Sequence, residues 1–335
     1  MPAEWEPHEA TWLAWPHNRS DWPGRFAPIP WVYAEIVRKL SRVERVRILV
    51  EDRQLQRQAE GILRKAGAVM EAVDFLVHPT NRGWSRDCGP LFVKNRAGGV
   101  ALTGWRFNAW AKYDDWRKDA TVPAFLAARL GRRIWKLDMV LEGGSIDGNG
   151  AGALLTTEEC LLSPVQARNP EMSRAEIEKM LREYLGVRRV IWLKNGIAGD
   201  DTHGHVDDIA RFVARDTVVA AWESDRSDIN YAPLAENYRI LRAAGLRVVK
   251  LPMPAPFYFE GRRLPASYAN FYIANGTVLV PTFNDRNDRA ALSVLARVFP
   301  GREVVGINCT DLIWGLGAIH CMTQQQPAGP GSPPH

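Results

Sequence analysis

Two kinds of hydrophobic spacing alternate along the chain. Stretches with apolar residues at three- and four-residue intervals end at a glycine, and a short β-branched strand, often led by arginine, follows at once. The clearest copy begins at Ser173, which with Glu176 makes a capping box. Ile177, Met180, Leu181 and Tyr184 then keep helical spacing, Gly186 stands where a left-handed C-cap is wanted, and 187–193 reads as a strand. The same grammar predicts a helix over 123–130 with Gly131 and a strand over 132–137. It predicts two more copies, helix 233–244 with Gly245 and strand 246–251, and helix 288–299 with Gly301 and strand 302–307. The first copy is longer, with helices near 31–43 and 53–66 followed by strands near 46–50 and 73–78.

Gly67, Gly131, Gly186, Gly245 and Gly301 fall 64, 55, 59 and 56 residues apart, a period that marks a repeat architecture. Between the copies lie hairpin-like pairs: 91–94 with 99–104, 209–213 with 217–222, and 271–274 with 277–281 across Asn275-Gly276. The fold class is therefore α/β, with a strand-strand-helix-strand unit repeated about five times. A single closed ring is the economical arrangement, because each unit buries its apolar faces only against its neighbours.

Composition narrows the setting. With 335 residues, 46% hydrophobic and 24% charged, the chain has ordinary globular composition and ample material for a core. No apolar run approaches membrane-spanning length and the stretch from Met1 to Glu6 lacks the parts of a signal peptide, so a cytoplasmic protein with no membrane partner is expected. Cys88, Cys160, Cys309 and Cys321 show no CxxC spacing, which indicates neither a zinc ribbon nor a disulfide framework. The net charge is +5, but the basic residues are spread out rather than run together, so no nucleic-acid partner is expected. Thirteen tryptophans, many beside Gly, Pro or Asp, exceed what the core needs, and some are expected to line a pocket. The tail 328–335, rich in Pro, Gly and Ser, is expected to be disordered, leaving 1–327 as a single domain.

Unusual residues collect in the segments that follow the repeat strands. These are Trp84 to Pro90, Glu142-Gly143-Gly144, Gly199 to Asp208, and Gly315 to Cys321. In a ring, equivalent loops converge on the axis, so Asp87, Glu142, His203, His205, Asp207 and Cys321 are candidates for one central pocket. Taken singly they read otherwise: Cys321 as a buried small hydrophobe, Asp87 as half of a surface pair with Arg86, Glu142 as a turn carboxylate. If the segments are extended, His320 and Cys321 face opposite ways, while His203, His205 and Asp207 share a face. Two chemistries fit: a zinc hydrolase held by the imidazoles and the carboxylate, or a Cys321 nucleophile with a distant imidazole as its base. Several carboxylates around a thiol suit a planar cation such as a guanidinium, whose parallel N–H groups two carboxylates can hold.

Along almost the whole chain the sequence resembles the agmatine and bacterial peptidylarginine deiminases, a family of guanidine-modifying enzymes. The resemblance is carried by Pro2-Ala3-Glu4-Trp5 with Thr11 to Pro16, Trp84-Ser85-Arg86-Asp87, Glu142-Gly143-Gly144-Ser145, Gly204-His205-Val206-Asp207, and Ile319-His320-Cys321-Met322-Thr323-Gln324-Gln325. It implies a five-fold pseudosymmetric α/β propeller of ββαβ modules, pentein-type, and a homodimer. It also implies hydrolysis of agmatine to N-carbamoylputrescine and ammonia, a step of polyamine synthesis that needs no metal or other cofactor. Carried over by position, Cys321 is the nucleophile, His205 the general acid and base, and Asp87 with Asp207 the fork on the guanidinium. Glu142 orients the histidine or supports the guanidinium, and Trp84 packs along the substrate's aliphatic chain. Asp201, with Asp200 and Asp208, belongs to a surplus of carboxylates suited to a distal ammonium. Two departures bear on the substrate's far end: Gly315-Leu316-Gly317-Ala318 where the family commonly has Gly-Gly-Gly-Asn, and Asp208 where an asparagine is frequent. The segment 252–261 has no evident catalytic residue and is a candidate wall for that end. A peptidyl- or free-arginine deiminase with the same mechanism, a zinc amidohydrolase and a polyamine-binding protein remain the alternatives.

Overall fold

The structure, a computed structural model, describes residues 1–330. Ala328, at the start of the tail, donates its N–H to the carbonyl of Pro7 at 2.8 Å, and residues 331–335 of that tail lie outside the described residues.

Four sheets share one plan: two antiparallel strands joined by a short loop, then a helix that carries the chain to a third strand parallel to the second. A tight turn can only return antiparallel, whereas a helical crossover permits the parallel partner. Leu91–Lys94, Val100–Arg106 and Ile134–Val140 form one module, with helix Val122–Leu130. The next comprises Asp147–Gly148, Ala153–Thr157 and Arg189–Leu193, with helix Arg174–Leu185. Ala210–Ala214, Thr217–Trp222 and Arg247–Pro252 follow with helix Tyr231–Ala243, then Tyr272–Ile273, Thr277–Thr282 and Glu303–Asn308 with helix Asp288–Val298.

The predicted caps form locally. Ser173 and Glu176 make their reciprocal box, and Gly67, Gly131 and Gly186 close their helices at φ 77°, 61° and 68°. Gly301 does not: its helix ends at Val298, and Gly301 is not left-handed. Here the repeat period outlasts the cap geometry that suggested it.

The first module holds the feature the hydrophobic pattern missed. Strand His8–Ala14 lies parallel to Arg45–Val50 and antiparallel to Gln324–Pro327, with Trp12 opposite Gln324 and His8 opposite Pro327. The two ends of the described chain therefore complete one sheet, with Val73–Val77 at its other edge. Apolar clusters join each module to the next: Leu91, Leu137, Leu154 and Ile177 between the second and third, Leu155, Ile191, Ile209 and Phe212 between the third and fourth. The largest cluster runs from Val219 through Val278 and Ile307 to Ile48, Val37 and Phe92, closing the ring. Burying each such Leu, Ile or Phe contributes about 1.5–3 kcal/mol. The five-module α/β propeller expected from the repeat is thus the fold. Among the described residues no helix is long and apolar enough to cross a membrane.

Charge, not hydrocarbon, fills one central region. Arg211, fully buried, pairs with Asp147 (2.8 Å) and Glu4 (2.9 Å), while Glu4 also meets Arg86 (3.4 Å) and His320 (2.8 Å). Glu4 comes from the N-terminal segment, Asp147 and Arg211 from adjacent modules, and His320 from the turn beside Cys321. This network carries the positions of the ring into the site above it.

Candidate active site

Cys321 sits in a single helical turn, Ile319–Met322, and not in the extended segment expected. His320 nevertheless points away from the thiol. Its Nδ1 lies 2.7 Å from Asp207 Oδ2 and its Nε2 2.8 Å from Glu4 Oε2. With a carboxylate on each ring nitrogen, His320 is fully engaged: it anchors Asp207 and is not available to the nucleophile.

The segment around His205 also departs from the extended reading. His203 takes φ 61°, Gly204 φ 92°, and Val206–Asp208 coil into a 3-10 turn. Asp200 builds that turn by accepting from the N–H groups of Thr202, Gly204 and His205 at 2.8, 2.7 and 3.1 Å. The turn sends His203 away, to Ser163 Oγ at 3.1 Å, and brings His205 and Asp207 inward. The face expected to hold zinc through His203, His205 and Asp207 is therefore not assembled. Another trio does gather: Glu142, Cys160 and His205, each fully buried, have donor atoms within 4.8 Å of one another. Glu142 is already held by the Arg168 guanidinium at 3.0 Å, and the electrostatics below keep His205 protonated, which suits a proton donor better than a metal ligand.

Around the thiol, Asp207 Oδ2 lies 3.7 Å from Cys321 Sγ. His205 Nδ1 is 3.9 Å from Asp87 Oδ1 and 4.0 Å from Asp207 Oδ1, and its Nε2 is 3.8 Å from Glu142 Oε2. Both imidazole nitrogens are buried without a hydrogen-bond partner, as are Glu142 Oε2 and Asp207 Oδ1, carboxylate oxygens that the N–H groups of a cationic ligand would satisfy. Asp87 is aimed by Gly144 N–H on Oδ1 and Trp110 Nε1–H on Oδ2, each at 2.9 Å. Gly144 permits the convergence itself: a Cβ there would stand 2.5 Å from His205 Nδ1, 2.9 Å from Asp87 Oδ1 and 3.1 Å from Asp207 Oδ2. Gly317 does the same for Trp84, whose ring would lie 2.8 Å from an added Cβ.

Burial pushes the Cys321 thiol well up, and Asp207, Asp208 and Asp87 add to it. For His205 burial works downward, but Asp87, Cys160 and Glu142 outweigh it and raise the imidazole well above its ordinary value. Burial opposes the Arg168 guanidinium at Glu142, and the guanidinium wins, bringing that carboxyl down to about 2. The resting pair is thus a neutral thiol beside an imidazolium, and a guanidinium seated between the carboxylates would offset the charges that suppress the thiolate.

Asn270, like Arg168, joins the site without having been singled out in the sequence. Its Nδ2 donates to Cys321 Sγ (3.1 Å) and Asp208 Oδ1 (3.0 Å), and its Oδ1 accepts from His320 N–H at 2.9 Å. The only signal was a lone amide within the apolar run Tyr268-Ala269-Asn270-Phe271-Tyr272. Asn270→Asp keeps the accepting oxygen and removes the N–H aimed at sulfur. The expected result is a pH profile for Cys321 alkylation displaced upward and a kcat lowered on the order of 10- to 100-fold, with KM little changed. An unaltered alkylation profile would restrict Asn270 to a packing role.

The thiol opens on a cavity of about 460 Å³, lined by Trp84, Asp87, Trp110, Asp201, Phe259 and Trp314 among others. Phe259 and Glu260, from hairpin Tyr258–Phe259 with Arg262–Arg263, supply the wall expected of 252–261. Asp201 reaches the cavity but is engaged by Lys112 and by Tyr113 Oη (2.6 Å), while Asp208 is buried behind the thiol with Asn270.

Relatives carry the same architecture over the same length. An agmatine deiminase of Pseudomonas aeruginosa (strain LESB58) is 38% identical, covering 98% of this chain and 95% of its own. The agmatine deiminase of C. jejuni, solved as a cysteine-to-serine variant with substrate bound, superposes with a TM-score of 0.90 at 31% identity, over 98% and 96% of the two chains. That of Enterococcus faecalis, solved while catalysing its reaction, gives 0.89 at 33% identity, over 98% and 95%. With residues 1–327 matching the family as one piece, the chain belongs to the Porphyromonas-type peptidyl-arginine deiminases.

Proposed function

We propose that this protein is an agmatine deiminase, hydrolysing agmatine to N-carbamoylputrescine and ammonia. The observation that carries the proposal is a cavity that reaches the Cys321 thiol and Asp87, with Asp207 and the His205 imidazolium converging around them, in a chain resembling agmatine deiminases from end to end. Asp87 and Asp207 grip the guanidinium, and its positive charge lowers the cost of ionising Cys321, whose proton passes to solvent as the substrate binds. The thiolate forms a C–S bond at the guanidinium carbon. One C–N bond then breaks, and the nitrogen leaves as ammonia with the proton that His205 gives up.

Water enters next. Neutral His205 takes one water proton as the oxygen bonds to the same carbon; the C–S bond then breaks, the remaining hydroxyl proton leaving with the sulfur as the carbonyl forms, and the thiol is returned. Glu142, held by Arg168, keeps the imidazole oriented through both steps, and Trp84 packs beside the methylene chain. No step calls for a metal.

The test is ammonia release from agmatine, free arginine and an N-acyl arginine amide, before and after prolonged chelation. Agmatine is expected to give the highest kcat/KM, unchanged by the chelator. If either arginine compound equalled it, the agmatine assignment would fall and the guanidine chemistry would stand. Loss of turnover with a stoichiometric metal would replace the mechanism.

A further inference from the structure

Four carboxylates line the cavity: Asp21, Asp87, Asp201 and Glu260. Asp87 belongs to the thiol end. Asp201 is occupied by Lys112 and Tyr113, and Glu260 stands exposed at the tip of its hairpin. Asp21 differs from all three. Its side chain is only 1% exposed; Oδ1 is taken by Arg82, while Oδ2 is buried with no hydrogen-bond partner. A buried carboxylate oxygen left unpaired on a cavity wall is costly unless a ligand completes it.

The surroundings favour a cation there. Arg82 is shared between Asp21 and Asp115 (2.8 Å), so the cluster of one guanidinium and two carboxylates is net negative. The guanidinium lies 4.3 Å from the centroid of the Tyr113 ring, and Trp84, Trp110 and Trp314 supply further aromatic wall suited to a methylene chain. Burial pushes the Asp21 carboxyl up to about 6 against the pull of Arg82, with Asp115 adding to the rise and His17 opposing it. An arriving ammonium would favour the ionised form.

We infer that Asp21 is the acceptor of a subsite for a primary alkylammonium, and that Asp21, not Asp201, sets the preference for a substrate with a cationic tail. The inference rests on the proposed guanidine chemistry for the other end of the ligand. Arg82 Nε is also buried without a partner, which makes a substrate carboxylate the rival occupant. The excess of carboxylates in the cluster argues against it.

The experiment compares agmatine with butylguanidine, which has the same guanidine and a neutral tail, by calorimetric binding to the Cys321→Ser chain with and without Asp21→Asn. With Asp21 present, agmatine is expected to bind at least about tenfold more tightly than butylguanidine. Asp21→Asn is expected to weaken agmatine by about 10- to 100-fold and to leave butylguanidine within about twofold, while Asp201→Asn preserves the preference. Equal binding of the two ligands in the Asp21 chain overturns the subsite without recourse to any further variant. So does an unchanged ratio in Asp21→Asn, which would mark a general structural loss. Tight binding of free arginine that disappears in Arg82→Gln would give the cluster to a carboxylate instead. Ammonia release is read separately: a chain that binds agmatine through Asp21 yet releases none would sink the deiminase proposal and leave the subsite standing.

Discussion

Cys321→Ser is expected to lower kcat/KM for agmatine by about four orders of magnitude or more, while Cys88→Ser and Cys309→Ser keep most activity. A serine oxygen in this setting would need a far stronger base to ionise, and the His205 imidazole is already protonated. Cys88 and Cys309 have no such partners: burial raises both thiols, and neither lines the cavity. Acid quenching of the unsubstituted chain during turnover is expected to trap an amidino adduct of the substrate on the peptide containing Cys321. Near-normal turnover by Cys321→Ser would remove the covalent route altogether.

His205→Ala should cost nearly as much, about three to four orders of magnitude in kcat, because one residue both delivers the proton to ammonia and withdraws it from water. The form of the residual pH dependence is the sharper reading. In the unsubstituted chain the rate is expected to fall at high pH, since the imidazolium, protonated at neutrality by its raised pKa, is lost as pH climbs through that value. In His205→Ala only the thiolate remains to be formed, so the residual rate should climb monotonically with pH. A retained high-pH decline would mean that another group supplies the proton.

Much of this was legible in the chain because the repeat writes itself in local signals. A capping box, left-handed glycines and an Asn-Gly hairpin each depend on residues a few positions apart, and these marked the helix and last strand of four modules, while the strand pair Asp147–Gly148 with Ala153–Thr157 went unread. Hidden features depended on partners tens to hundreds of residues away. The strand His8–Ala14 pairs with Gln324–Pro327, and neither shows a turn or a cap that would announce it. Asn270 is invisible for the same reason, its partners being Asp208 and Cys321. The site residues could be gathered from equivalent loops of a ring, yet their conformations could not. His203, read on an extended backbone with His205 and Asp207, turns out of the reacting space because the real backbone coils there, whereas His320 faces away from Cys321 as expected but from a helical turn. Asp201 illustrates a further limit, since a sequence counts carboxylates but does not say which are already neutralised by a neighbouring Lys112.

Closure of the first sheet by residues 324–327 has a consequence for how activity is acquired. Cys321 precedes that strand by three positions, and the strand's partner lies near the N-terminus, among the longest sequence separations in the molecule. Contacts of this span are entropically the most expensive to form and slow the search for the native state. A growing polypeptide can build four modules from local hairpins and crossovers while remaining inert, because the proposed nucleophile, Cys321, arrives together with the last seam. Its thiol therefore reaches its carboxylates only when the ring is sealed, so that the order of synthesis itself guards a partly folded chain against untimely chemistry.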